Sequence, residues 1–456
     1  MTGPKSLVRL AMRFYKPQAI LAIFLTIILI GAALLCLPFA SRSGESIGFI
    51  DALFTATSAT CVTGLIVVDT FNHWSLFGQL VILVLIQTGG LGVMTIATLF
   101  SLVTKRAINY NERLFIQESL NIDTASGIIR MTKHIIIGTF IIEAAGALMY
   151  SFVFVPEFGF GMGIYKSVFT AISAFCNAGF DLMGNYGDFS SLVPFADNVT
   201  VNFVTMALIL IGGIGFVVWE EVLKHKKHQR FSLHTKIVLI MTAALFVTGT
   251  VMFLSFEYTN PQTMGSLNFG QKLLRSMFQS VTLRTAGFNT VNINALTETS
   301  KFFSVILMFI GACPGSTAGG IKVTTVFVIA AVLHNVIKGR ENIVAFKRTI
   351  SYNTVVRSIA ILFIGLTVLA TGSIIISFNQ EAHFIDVLFE TASAFGTVGI
   401  TAGLTGQLNV ISKLTLIIIM YFGRVGVLTV AFIFAKKTKS GGINRIKYPD
   451  GRIMVG

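Results

Sequence analysis

Four short segments of this 456-residue chain end in glycine and offer main-chain carbonyls in place of reactive side chains. They are Cys61, Val62, Thr63 and Gly64; Cys176, Asn177, Ala178 and Gly179; Arg284, Thr285, Ala286 and Gly287; and Gly396, Thr397, Val398 and Gly399. Each closes a longer pattern opened by a serine (Ser58, Ser173, Ser280, Ser393), and the third carries one extra residue. The final glycines lie 179−64 = 115, 287−179 = 108 and 399−287 = 112 residues apart. A single glycine-rich octapeptide carries little information, but four at near-equal spacing mean a fourfold internal duplication. The chemistry open to such segments is coordination of a bare cation, with inward carbonyls replacing its water shell. Glycine fits because aligned carbonyls need backbone angles that other residues resist. Thr63, Ala178, Ala286 and Val398 suit a crowded constriction.

The flanking sequence supplies elements to hold these segments. A long apolar stretch opens each repeat: Ile20–Leu37, Ile135–Val155, Ile237–Phe256 and Ile359–Phe378. A shorter one precedes each glycine segment: Ile50–Ala59, Tyr165–Phe175, Phe269–Thr282 and Phe384–Phe395. A second long one follows: Leu76–Val103, Val199–Val222, Phe302–Leu333 and Leu414–Ala435. About a dozen residues cannot span a hydrocarbon core that needs about 20, so the short stretches read as half-membrane helices. Non-helical backbone at membrane depth must line a water-filled path or be buried in protein, and four such loops suggest a ring about one axis. The expected fold is all-α and integral to the membrane: four tandem helix–pore loop–helix repeats, with eight transmembrane helices and four re-entrant pore helices around one pseudo-fourfold pore. The repeats cover 1–104, 105–223, 224–335 and 336–436, followed by a cytosolic tail at 437–456.

Composition agrees with a membrane domain. Apolar residues make up 54% and charged residues 12%, about half the charged share of a soluble domain. The net charge of +14 is not a nucleic-acid footprint, because 25 of the 34 lysines and arginines fall in five stretches that alternate with apolar blocks. Those stretches, including Lys105–Lys133, Lys224–Lys236 and Lys338–Arg348, read as cytoplasmic loops under the positive-inside rule, with both termini inside. Twelve of the 20 acids, among them Glu45, Asp51, Asp69, Asp181, Asp188, Asp197, Glu381, Asp386 and Glu390, fall in the opposite loops, where they would draw cations toward the outer mouth. Cys36, Cys61, Cys176 and Cys313 form no C-x-x-C pair and read as small packing residues. The basic start before Ala19–Ala40 reads as an uncleaved first helix. No H-E-x-x-H occurs, nor any G-x-S-x-G on a strand-to-helix turn (Gly44–Gly48 has the spacing but lies between two apolar stretches), which argues against an enzyme, and the absence of a Walker A motif leaves no nucleotide bound by this chain. A secondary transporter with inverted repeats is disfavoured, because each unit here begins and ends on the same side.

The glycine segments, their spacing and their flanking helices resemble the Ktr/Trk/HKT superfamily of cation transporters, from about Leu21 to Val455. The resemblance implies potassium uptake at the cell membrane, a homodimer, and a cytosolic regulatory ring, the octameric nucleotide-binding RCK protein KtrA. It also implies potassium as the transported ion where the first segment ends in glycine, as at Gly64, and sodium where a serine stands there. A sodium-selective or sodium-coupled variant stays open.

Below the filter, the second long stretches share Gly89-Gly90-Leu91-Gly92, Gly212-Gly213-Ile214-Gly215, Gly319-Gly320-Ile321-Lys322 and Gly423-Arg424-Val425-Gly426. A cation inside an apolar helix is expensive and normally faces a cavity or a partner. Arg424 is expected to form a barrier in the path; the alternative is a structural pair with Glu143. The third repeat is interrupted by Gly311, Ala312, Cys313, Pro314, Gly315, Ser316, Thr317, Ala318, Gly319 and Gly320, a run that makes a poor helix. It is expected to be a movable gate loop, the alternative being a packing kink. Arg284 is expected to face away from the path and to hydrogen-bond pore-loop backbone or an acid. The tail from Ile443 to Gly456 is, by resemblance, a contact to the dimer partner.

Overall fold

The computed structural model describes residues 16–92, 128–225, 231–340 and 342–426. The basic loop between Lys105 and Arg113, part of the Lys224–Lys236 loop and the tail at 437–456 lie outside the described residues, as do the ends assigned to the first and fourth second helices.

The stretch expected as the first repeat forms α1 (Lys16–Leu35), α2 (Phe49–Thr60) and α3 (Leu76–Leu91), and the other three stretches are numbered in the same way. The second forms α4 (Ile128–Phe158), α5 (Phe160–Cys176), α6 (Val199–Ile214) and α7 (Phe216–Leu223). The third forms α8 (Leu233–Glu257), α9 (Phe269–Thr282), α10 (Glu298–Phe309) and α11 (Val323–Ile337). The fourth forms α12 (Tyr352–Asn379), α13 (Phe384–Gly396) and α14 (Val410–Val425). A two-residue hairpin, Val344–Ala345 with Arg348–Thr349, precedes α12.

Local chemistry starts these helices where the chain needs them. Ser75, Asn198, Thr297 and Asn409 each cap a second helix by accepting an N–H from its first turn. Asn268 and Gln271 form a reciprocal capping box at the start of α9. The second stretches do not continue as the uninterrupted helices the sequence suggests. Gly92, Gly215 and Gly426, at equivalent positions, take φ of 80°, 98° and 95° and end α3, α6 and α14. At Gly215 the chain bends by 97° between α6 and α7. Among the described residues, three helices are long and apolar enough to cross a membrane: Ile129–Phe158, Leu233–Glu257 and Tyr352–Asn379.

Beside an apolar core, the short helices bury polar side chains, while large apolar side chains stand on the outside. Thr55, Thr57, Ser58 and Thr60 of α2 are buried, as are Glu390, Thr391 and Ser393 of α13. By contrast Phe140, Ile141, Leu148 and Phe152 of α4 stand exposed, as do Phe363 and Ile374 of α12. An apolar exterior of this extent suits lipid, which cannot hydrogen-bond the backbone and so demands closed helices on the outside. The four short helices α2, α5, α9 and α13 form the buried centre, each packed against the first helix of its own repeat.

Candidate functional site

Each short helix delivers its glycine segment to the same place. At Gly179 an added Cβ would lie 2.8 Å from the Ala286 carbonyl oxygen and 2.8 Å from Gly287 Cα. At Gly287 it would lie 2.6 Å from the Val398 oxygen, and at Gly399, 2.7 Å from Gly64 Cα and against the Thr63 oxygen. At Gly64 it would press on the Ala178 oxygen, 3.2 Å from Gly179 Cα. The four glycines therefore follow one another in chain order and return to the start, each meeting the carbonyl that precedes its neighbour.

The backbone alternates to make this possible. Gly64, Gly179, Gly287 and Gly399 have φ of 94°, 70°, 89° and 91°. Two residues earlier, Val62, Asn177, Thr285 and Thr397 are also left-handed, with φ of 57°, 59°, 72° and 50°. A left-handed residue on either side of an ordinary one turns successive carbonyls toward one side. The cost at non-glycine residues is about 1–3 kcal/mol each, and it persists only where the surroundings enforce it. Here they do. Thr63, Ala178 and Val398 donate their N–H to the carbonyls of Ser58, Ser173 and Ser393, each at 2.8 Å. The hydroxyls of Ser58 and Ser393 accept the N–H of Gly64 and Gly399 at 3.0 Å. In the third segment the extra residue changes the pattern: Ala286 donates to Thr282, and the Ser280 hydroxyl turns to Phe246 O at 2.9 Å.

All four glycines line one cavity of about 580 Å³. Asp181, Asp188, Ser191, Asn289, Asn292 and Thr401 also line it. Burial pushes the Asp181 carboxyl up to about 7, with Asp69 adding to the rise, against the Met183 N–H, the Lys166 ammonium and the Ser191 hydroxyl. Asp51, Asp197 and Asp386 are held instead in ion pairs with Lys413, Arg275 and Lys301. Glu390 is buried in α13 and accepts from the N–H groups of Ala402 and Leu404 and the hydroxyls of Thr401 and Thr405, tying the cavity wall to the short helix. The free acidic charge at this face is thus narrower than the loop count implies.

Behind the glycine segments, the second helices come close because of their own glycines. A Cβ at Gly89, Gly212 or Gly423 would strike the carbonyl oxygen of Thr60, Phe175 or Phe395, near the C-terminus of the short helix of the same repeat. Gly319 departs from this register and lies against Thr397.

The third repeat has no helix between Phe309 and Val323. Residues 311–320 cross to the second repeat instead, where Cys313 and Thr317 donate to the carbonyls of Gly213 and Gly212 at 3.2 and 3.3 Å, and Phe216 donates to Gly315 O at 2.9 Å. Gly320 donates to Gly423 O of the fourth repeat at 3.3 Å. The Arg424 guanidinium bridges this loop to the first repeat, donating to Thr317 O and to the carbonyls of Gly89 and Gly90. Lys322 turns back on the loop and donates to Ala318 O at 2.7 Å. Arg284 reaches Thr242 of α8, donating to its carbonyl at 3.3 Å and its hydroxyl at 3.4 Å. Glu143 accepts from Gln87 Nε2 at 3.3 Å and, among the described residues, makes no ion pair with Arg424 or any other cation.

Two features of the site had no role assigned from the sequence. The serine hydroxyls were visible as the fixed first residue of each pattern. The left-handed residues carried no signal, since valine, asparagine and two threonines share no trait that asks for positive φ.

A family model described as "Cation transport protein", TrkH, matches residues 15–446. The chain is 42% identical to the Ktr system potassium uptake protein B of Bacillus subtilis, over all of both chains. It is 41% identical to the potassium/sodium uptake protein NtpJ of Enterococcus hirae, covering 98% of this chain and 99% of that one. The crystal structure of the potassium transporter TrkH from Vibrio parahaemolyticus is similar in fold, with a TM-score of 0.73 at 18% identity, covering 92% of this chain and 84% of that one.

Two glycine variants separate backbone strain from crowding. Gly44 has φ 74° and open space for a Cβ, so Gly44→Ala meets strain alone, about 1 kcal/mol. Gly179→Ala adds collision with Ala286 and Gly287. Thermal denaturation in detergent is expected to show a drop several-fold larger for Gly179→Ala; equal drops would mean that the neighbouring segments yield freely.

Proposed function

Because this chain belongs to the TrkH family of cation transport proteins, we propose that it takes up potassium through a channel-like pore in the cell membrane. The observation that carries the reading is the closed sequence of four glycine segments that line one cavity together with Asp181 and Asp188. On this reading the cavity is the outer mouth. Residues 61–64, 176–179, 284–287 and 396–399 form the selectivity filter, one strand from each of four repeats spanning 1–104, 105–223, 224–335 and 336–436. Eight membrane passes and four re-entrant pore helices place both termini in the cytoplasm.

Asp181 and Asp188 raise the local cation concentration, and pore-helix C-termini add partial negative charge. The ion sheds water and is held by carbonyls, chiefly those of Thr63, Ala178, Ala286 and Val398. It then meets the loop 311–320, held across the path by Arg424. The guanidinium is both barrier and latch, since the same group that repels a cation bonds Thr317 O to Gly89 O and Gly90 O. Arg284 anchors the third strand from behind and does not enter the path.

Relatives named for a Ktr system suggest a partner, and the basic loops fit a cytosolic RCK-type regulatory subunit (KtrA) that binds the nucleotide this chain does not. A homodimer completes the proposed assembly. The Enterococcus relative named for both ions keeps a second reading in view, in which sodium is carried or coupled.

Three experiments test this. Purified protein in liposomes is expected to favour rubidium over sodium, and Gly64→Ser to erode that preference; a wild type that carries sodium as readily sinks the potassium assignment. Deleting several residues from 311–320 is expected to raise uptake and remove its dependence on a nucleotide-loaded partner, whereas unchanged flux and unchanged dependence would remove the gate role. Asp181 carries its proton below about pH 7 and its charge above it. Uptake is therefore expected to rise as pH climbs through that value, and Asp181→Asn to flatten the rise; an unaltered profile in the variant would exclude Asp181 as its source.

A further inference from the structure

The four repeats are joined by chain at three boundaries, and none joins the fourth to the first. That seam is closed by one helix, α14, at three depths. Lys413 Nζ lies 2.5 Å from Asp51 Oδ1 of α2, Tyr421 donates to Leu21 O of α1 at 2.8 Å, and Arg424 donates to Gly90 O of α3 at 3.3 Å. These residues are 421−413 = 8 and 424−413 = 11 positions along the helix, so they share one side of it.

The outermost of these contacts has a counterpart elsewhere. Lys413 lies 413−399 = 14 residues after its filter glycine and Asp51 lies 64−51 = 13 before its own. Lys301 and Asp386, at the third-to-fourth boundary, have the same offsets (301−287 = 14, 399−386 = 13) and lie 2.8 Å apart. The remaining boundaries use other cations: Lys166, also 179−166 = 13 before its glycine, stands 4.5 Å from the Phe71 ring of the first repeat, and Arg275 pairs with Asp197 at 2.9 Å. A cation therefore bridges every boundary at the rim, and at the seam no chain connection reinforces it.

The seam is also where filter strands touch, with Gly399 against Thr63 O and Gly64. We propose that the Asp51–Lys413 pair is a specificity-determining clasp that fixes the spacing of the first and fourth filter strands. This rests on the pore reading above. Both side chains are partly buried (30% and 15% exposed), so the contact is shielded from the solvent that weakens an open surface pair. Losing the clasp lets the two strands separate, so that their carbonyls no longer coordinate together in place of a full water shell, and sodium that keeps part of its own shell can enter.

The test uses the full chain in liposomes, with rubidium and sodium uptake measured separately. Asp51→Ala and Lys413→Ala shift the local charge in opposite directions. A role limited to surface charge would move uptake in opposite directions and leave the ion ratio alone. A clasp predicts that both lower the rubidium-to-sodium ratio, by about fivefold or more, and that Asp51→Lys with Lys413→Asp restores it to within about twofold. Should the single variants fold poorly, Asp51→Asn with Lys413→Met leaves no lone charge and is expected to lower the ratio with a near-normal melting temperature. A ratio unchanged in these variants, with a selective wild type, overturns the clasp alone; an unselective wild type overturns both the clasp and the pore reading beneath it.

Discussion

Four polypeptide backbones approach one another at Gly64, Gly179, Gly287 and Gly399 with no room for a methyl group, and much of the architecture follows from that approach. Every segment must present its carbonyls toward a common side within a few residues. It does so by pairing a left-handed glycine with a left-handed residue two positions earlier. Val62, Thr285 and Thr397 are β-branched, and such residues resist this region strongly. They hold it because the serine carbonyls and hydroxyls of the short helices, or Thr282 in the third segment, bind the following N–H groups. A strained loop therefore rests on rigid buried helices, which is why α2 and α13 carry threonines and serines inside while apolar side chains cover the outside.

The same economy of space governs the layer behind. Gly89, Gly212 and Gly423 let a second helix press on the carbonyls that end a short helix, and three residues later Gly92, Gly215 and Gly426 turn the chain away. One glycine brings the helix in and the next ends it. In the third repeat Lys322 stands where the turning glycine would be, with φ −68°, and its side chain bonds carbonyls of its own loop. The loop is thus an ordered structure, with hydrogen bonds to the second and fourth repeats and a parallel bridge between Ile310 and Ile321.

Much of this was legible in the residues. The period of the glycine segments located the four loops that meet, and the short apolar stretches matched α2, α5, α9 and α13 to within about five residues. The poor helix-forming run at 311–320 is unwound, whereas Arg284 bonds Thr242 of α8 instead of the pore-loop backbone or acid that the sequence suggested. Other features were not legible because they depend on which surfaces meet. Nothing local to Gly215 announces a 97° bend, since the same glycine spacing ends α3 and α14. Glu143 looked like the natural partner of Arg424 because both are charges in apolar helices, yet the arginine finds two carbonyls at the end of α3 and one in the loop, and the acid finds an amide. Unwound backbone is itself a ligand for a buried cation, and a sequence does not display where it will be.

On the pore reading, that last point bears on how selection and control share one molecule. At the level of the four glycines the segments are near copies, with four left-handed pairs and one closed sequence of contacts. One turn deeper they diverge: the third repeat unwinds and the fourth carries the arginine that binds it. A duplicated ring suits an ion that must be surrounded evenly. A gate has no need of symmetry, because one obstruction closes a single path. With the loop in the third repeat and the arginine in the fourth, the first and second supply the carbonyls that hold them, Gly89 and Gly90 for the guanidinium and Gly212 and Gly213 for the loop. On the pore reading, opening then requires breaking the Arg424 contacts and the bonds of the loop to Gly212 and Gly213, while the serine-held filter strands need not move.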